Sequence, residues 1–122
     1  MQKANKSFTK TLIRSFGFAI EGINLLITER NFTIHLFAGT MAVVAGIYLQ
    51  ITTTEWCIIT IVIGLVLTAE AFNSAIEEIC NRITKDHDPS IKRIKDISAA
   101  AVLFLAIAAA IVGLLIFLPK II

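Results

Sequence analysis

The sequence predicts an all-α membrane protein: three transmembrane helices preceded by an amphipathic N-terminal helix. Two observations carry this. Of 122 residues, 57% are hydrophobic and only 16% charged, too little charge to cover the surface of a soluble domain this small. The charges are also segregated. Asn31 to Thr54 carries no formal charge with His35 neutral, and neither does Ile97 to Pro119. Each run matches the roughly 20 residues with which a helix crosses the hydrocarbon core. A chain of this length has room for a single membrane domain, residues 1–122.

From about Ser7 to Thr28, Phe8, Leu12, Phe16, Ile20, Ile23 and Ile27 recur at steps of three and four, while Lys10, Arg14 and Glu21 fall elsewhere. Such a stripe with basic flanks suits a helix lying in the membrane interface, or one packed on its neighbours. Because Lys10, Arg14, Glu21 and Asn24 interrupt it, the segment forms no secretory h-region. The first span is expected from about Phe32 to Gln50. Thr52, Thr53 and Thr54 then offer N-capping hydroxyls, and Trp56 stands where an interfacial aromatic belongs. The second span is expected from about Trp56 to Arg82. Asp88 and Pro89 form a cap and first turn for the third, from about Ser90 to Leu118. Alanines and Gly113 in that helix favour close helix–helix approach.

Basic residues set the orientation. Lys3, Lys6, Lys10, Arg14 and Arg30 precede the first span or open it; Arg82, Lys85, Lys92, Arg93 and Lys95 separate the second from the third; only Lys120 follows. The positive-inside rule then makes the N-terminus and second loop cytosolic and the C-terminus external, as in a cytoplasmic membrane. A net charge of +2 is too small to suggest nucleic acid as partner. Cys57 and Cys80 would lie about 35 Å apart on one helix, too far to bridge.

The stretch Glu70-Ala71-Phe72-Asn73-Ser74-Ala75-Ile76-Glu77 bears the chemistry. At 100° per residue, Glu70, Asn73 and Glu77 fall within about 60° of one another. Glu70 lies two turns deeper in the span than Glu77, and an ionisable group at such depth needs a partner or a function. Lys95 of the neighbouring helix is the only cation that sequence alone offers it; His35 reads as an interfacial histidine rather than a ligand. Two carboxylates and an amide make an oxygen-rich stripe suited to Mg²⁺ more than Zn²⁺. Lys92, Arg93, Lys95 and Asp96 form a second patch on the same side, and Glu29 a third contributor at the start of the first span. By itself the basic patch reads as snorkelling residues that set topology, and Glu29-Arg30 as a helix-end pair. All three clusters meet the bilayer at one face, where a site could accept a water-soluble nucleotide from one side and a lipid headgroup from the other. No Gly-rich P-loop or soluble-kinase catalytic loop is present in the sequence.

Three runs resemble the small prokaryotic diacylglycerol kinase family, which includes the undecaprenol kinases. They are Glu29-Arg30-Asn31-Phe32, Glu70 to Glu78 followed by Arg82, and Lys95-Asp96-Ile97-Ser98-Ala99-Ala100-Ala101-Val102-Leu103. The resemblance implies a homotrimer with active sites shared between subunits, transferring the γ-phosphoryl of ATP, as its Mg²⁺ complex, to a lipid alcohol. It implies Glu70 as general base, Glu29 and Glu77 as metal ligands, and Asn73, Glu77, Lys95 and Asp96 as nucleotide contacts. Glu70 and Ser98 would face the lipid. A basic residue of the N-terminal helix would meet the phosphates, and both Lys10 and Arg14 qualify. His35, where the diacylglycerol-preferring branch is expected to be acidic, resembles the undecaprenol-kinase branch.

Two other readings remain at this stage. A small proton-coupled transporter would use Glu70 but leave Asn73, Glu77, Lys95 and Asp96 without a task. A non-catalytic assembly subunit would tolerate amides at the three acidic positions.

Overall fold

A computed structural model describes residues 2–122. Among them are four helices: α1 (Gln2–Leu26), α2 (Arg30–Tyr48), α3 (Thr53–Ile83) and α4 (Pro89–Ile121), with no strand. The last three are each long and apolar enough to cross a membrane. Most of their large apolar side chains are exposed, as suits helices surrounded by lipid or by other subunits rather than water.

Local chemistry explains where the spans begin and end. Thr52 and Glu55 form a reciprocal capping box: Glu55 N–H donates to Thr52 Oγ1 (3.2 Å) and Thr52 N–H to Glu55 Oε2 (2.8 Å). That cap starts α3 at Thr53, ahead of the Trp56 expected from hydropathy. Asp88 Oδ1 accepts from the N–H groups of Ser90 and Ile91, with Pro89 as the first helical residue. α2 closes in a Schellman motif, with Ile51 N–H donating to Gly46 carbonyl (3.2 Å) and Gln50 N–H to Ile47 carbonyl (3.4 Å). Gln50 takes the left-handed φ of 52° that such a closure requires.

α3 is the central element, packed chiefly on α4 and less on α2. Its pairing with α2 is antiparallel, since a side chain on Gly46 would meet Trp56, one on Gly39 would meet Ile63, and His35 meets Glu70. Ile51, Ile59 and Ile116 form a small core at the Trp56 end, where Lys120 at the end of α4 also pairs with Glu55 (3.2 Å). The small residues of α4 do not draw it tightly onto α2. Ala106, Ala109, Ala110 and Gly113 instead line, with Gly39 and Ala42, a hollow of about 290 Å³. α1 buries no residue in the chain.

Candidate active site

Depth along α3 grades its polar face. Counting 30 Å of hydrocarbon from Trp56 at 1.5 Å per residue puts the far boundary near Ile76. Glu70 therefore lies about 9 Å inside it and Glu77 at the edge. Within the chain Glu70 is 3% exposed and Asn73 5%, whereas Glu77 is exposed. Asn73 Nδ2 donates to Glu77 Oε1 (3.3 Å), so the amide and outer carboxylate act as one unit. Two buried oxygens, Asn73 Oδ1 and Glu70 Oε2, have no hydrogen-bond partner among the described residues. An unpaired buried acceptor costs about 1–3 kcal/mol, and it is a natural place for a ligand to supply a donor or a cation.

The partner of Glu70 is not the one expected. His35 Nε2 on α2 lies 3.1 Å from Glu70 Oε1. Lys95 instead donates to Asn81 Oδ1 (2.7 Å), tying α4 to α3 nearer the end of the latter. Both contacts cross between helices, and sequence spacing fixes faces only within one helix. The adjacent Asp96 points elsewhere, paired with Lys92 (2.6 Å) beside a hollow lined by His87, Arg93 and Ala100. Ser98 is buried and shares a hollow between α3 and α4 with Asn73, Phe72 and Leu105; it is not hydrogen-bonded to Glu70. Lys10 and Arg14 stand exposed on α1, and the chain does not bring them to the cluster.

Glu29 is the N-cap residue of α2, yet its side chain caps no backbone N–H and joins no ion pair among the described residues. It precedes His35 by six residues, about 9 Å along α2, and Glu77 follows Glu70 by seven, about 10 Å along α3. With the helices antiparallel and His35 against Glu70, Glu29 and Glu77 stand at the same level. Among the described residues, no group of three or more His, Cys, Asp or Glu forms a cage for a metal. Mg²⁺ needs none: it commonly binds through one or two carboxylates while substrate phosphates and water complete its octahedron. By donor type, carboxylates and an amide oxygen are the ligands such an ion takes.

Fold and site together define a three-span helical membrane protein with a carboxylate–amide stripe running from the bilayer interior to its edge. Residues 17–117 match the family "Prokaryotic diacylglycerol kinase". The chain is 38% identical over 119 residues to the undecaprenol kinase of Bacillus subtilis (strain 168), covering 97% of each. It is 34% identical to a diacylglycerol kinase of Synechocystis sp., over 88% of this chain and 63% of that protein. With the diacylglycerol kinase of Escherichia coli (strain K12) it shares 30% identity over 91% of each. The chain belongs to the prokaryotic diacylglycerol kinase family. The transporter reading finds no support in these matches.

Proposed function

We propose that the protein transfers the γ-phosphoryl group of ATP to a membrane lipid alcohol, with undecaprenol ahead of diacylglycerol as acceptor. The observation that carries this is the buried Glu70 carboxylate with a free oxygen, on the same stripe as Asn73 and Glu77, in a chain of this kinase family. Phosphoryl transfer asks for in-line positioning, charge neutralisation and a base near the acceptor. Glu70 Oε2 takes the hydroxyl proton of the lipid. The alcohol oxygen then bonds the γ-phosphorus as the bond to the β–γ bridging oxygen breaks and ADP leaves. We assign Glu77 and Glu29 as the residues that would hold the magnesium bound with ATP, which would supply charge neutralisation for the phosphates. Asn73 orders the phosphates, Lys95 and Asp96 contact the nucleotide, and Ser98 faces the lipid. The preference for undecaprenol is supported by the 38% identity to an undecaprenol kinase over nearly the whole of both chains.

The working form is a homotrimer with shared sites, in the cytoplasmic membrane, with α1 in the interface and the Glu77 side cytosolic. Three features support it. Asp96 faces away from the Glu70 stripe of its own chain, Lys10 and Arg14 of α1 touch nothing that would hold them near it, and the basic residues crowd one side. A neighbouring copy would bring the missing groups.

The test is a parallel assay of purified protein with Mg-ATP and either undecaprenol or diacylglycerol in one detergent mixture. A lipid phosphate is expected from both, faster from undecaprenol. No lipid phosphate from either would end the kinase reading, and a faster diacylglycerol reaction would reverse the acceptor assignment.

A further inference from the structure

The two oxygens of Glu70 are not equivalent. Oε1 lies 3.1 Å from His35 Nε2, while Oε2 is buried with no partner among the described residues. The terminal torsion of a glutamate is broad and two-fold, so an unrestrained carboxylate presents either oxygen in either direction. A donor fixed on one of them removes that freedom. His35 is suited to be such a donor. Its side chain is 25% exposed, and every other residue lining the α2–α3–α4 hollow beside it is apolar, glycine or alanine. The imidazole therefore meets no competing polar side chain in that hollow, and Glu70 is its counterpart across the α2–α3 contact.

We infer that His35 is a positioning residue for phosphoryl transfer: its Nε2–H donates to Glu70 Oε1 and so aims Oε2 at the hydroxyl of the lipid alcohol. The inference rests on Glu70 being the base. His35 takes no proton from the substrate and acts only through the carboxylate. When the hydroxyl proton arrives on Oε2, Oε1 becomes the carbonyl oxygen and still accepts from His35. The geometry is thus kept through the proton transfer, and no reorganisation of α2 against α3 is needed.

The experiment compares wild type with His35→Leu, which keeps bulk without a donor, and His35→Gln, which restores an N–H donor. All three are assayed with Mg-ATP and the faster of the two lipid alcohols, after size-exclusion confirms equal assembly. His35→Leu is expected to lower kcat by about 10- to 100-fold, the scale of a lost hydrogen bond to a charged group. KM for Mg-ATP should change by less than about threefold, since the loss falls on the chemical step rather than on nucleotide binding. His35→Gln should recover to within about fivefold of wild type, because a neutral donor replaces much of the bond. A wild-type kcat in His35→Leu, or an assembled His35→Gln as slow as His35→Leu, would overturn the inference. Should wild type phosphorylate neither lipid, the kinase reading falls instead. If His35→Leu fails to assemble, nitrogen NMR of ¹⁵N-histidine wild type decides: a protonated Nε2 on His35 is expected, and an unprotonated one overturns the inference.

Discussion

Glu77 stands where the carboxylate–amide stripe of α3 reaches the edge of the bilayer. One of its oxygens accepts from Asn73 Nδ2, and its side chain is exposed at the level of Glu29. If these oxygens hold magnesium, Glu77→Gln weakens that hold without touching the proposed base. The half-saturating Mg²⁺ concentration should rise by about 10- to 100-fold, the range seen when groups supporting a metal are lost. A magnesium titration of wild type and variant measures it, and an unchanged midpoint would remove Glu77 from the metal. The stripe of Glu70, Asn73 and Glu77 was legible in the sequence because all three share one helix, whose 100° step fixes their faces. The approach of His35 to Glu70 and the hydrogen bond from Lys95 to Asn81 were not. They depend on how α2 and α4 are rotated against α3, and no within-helix spacing encodes that rotation.

Among the helices, the α2–α3 hairpin is the element that sets the site. Its turn uses Gln50 in a left-handed conformation where a glycine is the usual choice, so the sequence signal for the closure was weak. Gly46 is needed for a different reason. A Cβ there would stand 2.8 Å from the Trp56 ring and 3.0 Å from Ile51. Neither can retreat cheaply, as both pack against the small core around Ile59 and Ile116. Gly46→Ala should destabilise the protein by about 1–3 kcal/mol, the ordinary cost of overpacking. At Gly39 a Cβ would lie 3.2 Å from Ile63 Cγ2, and both residues border the hollow between the helices, so Gly39→Ala should cost less. Unfolding of both variants in mixed detergent measures the difference. The reverse order would mean that α2 and α3 approach most closely near Gly39 rather than at the turn. By contrast the starts of α3 and α4 were open to sequence reading, because threonine, aspartate and proline act through local backbone bonds.

Within one chain, Asp96, Lys10 and Arg14 are joined to the Glu70 stripe by no ion pair among the described residues. Glu70 is buried against His35, Asp96 is exposed and paired with Lys92, and α1 has no buried residue. In a trimer with shared sites, Glu70→Gln and Asp96→Asn damage different halves of each centre. Each variant alone should be inactive, while mixed subunits should regain a measurable fraction of wild-type activity from the sites that combine two intact halves. Absence of recovery after verified mixing would place both residues in one subunit's site. The first and third spans were legible from the two uncharged runs and the second from the apolar stretch after Trp56, but the number of copies was not, since exposed apolar residues read alike whether they face lipid or a neighbour. The most direct measurement is transfer of labelled γ-phosphate from ATP to undecaprenol by wild type and by Glu70→Gln of equal assembly. Loss of the general base should slow the labelled product by about 10²- to 10⁴-fold. Labelling by Glu70→Gln at the wild-type rate would contradict the assignment of the buried carboxylate as the base.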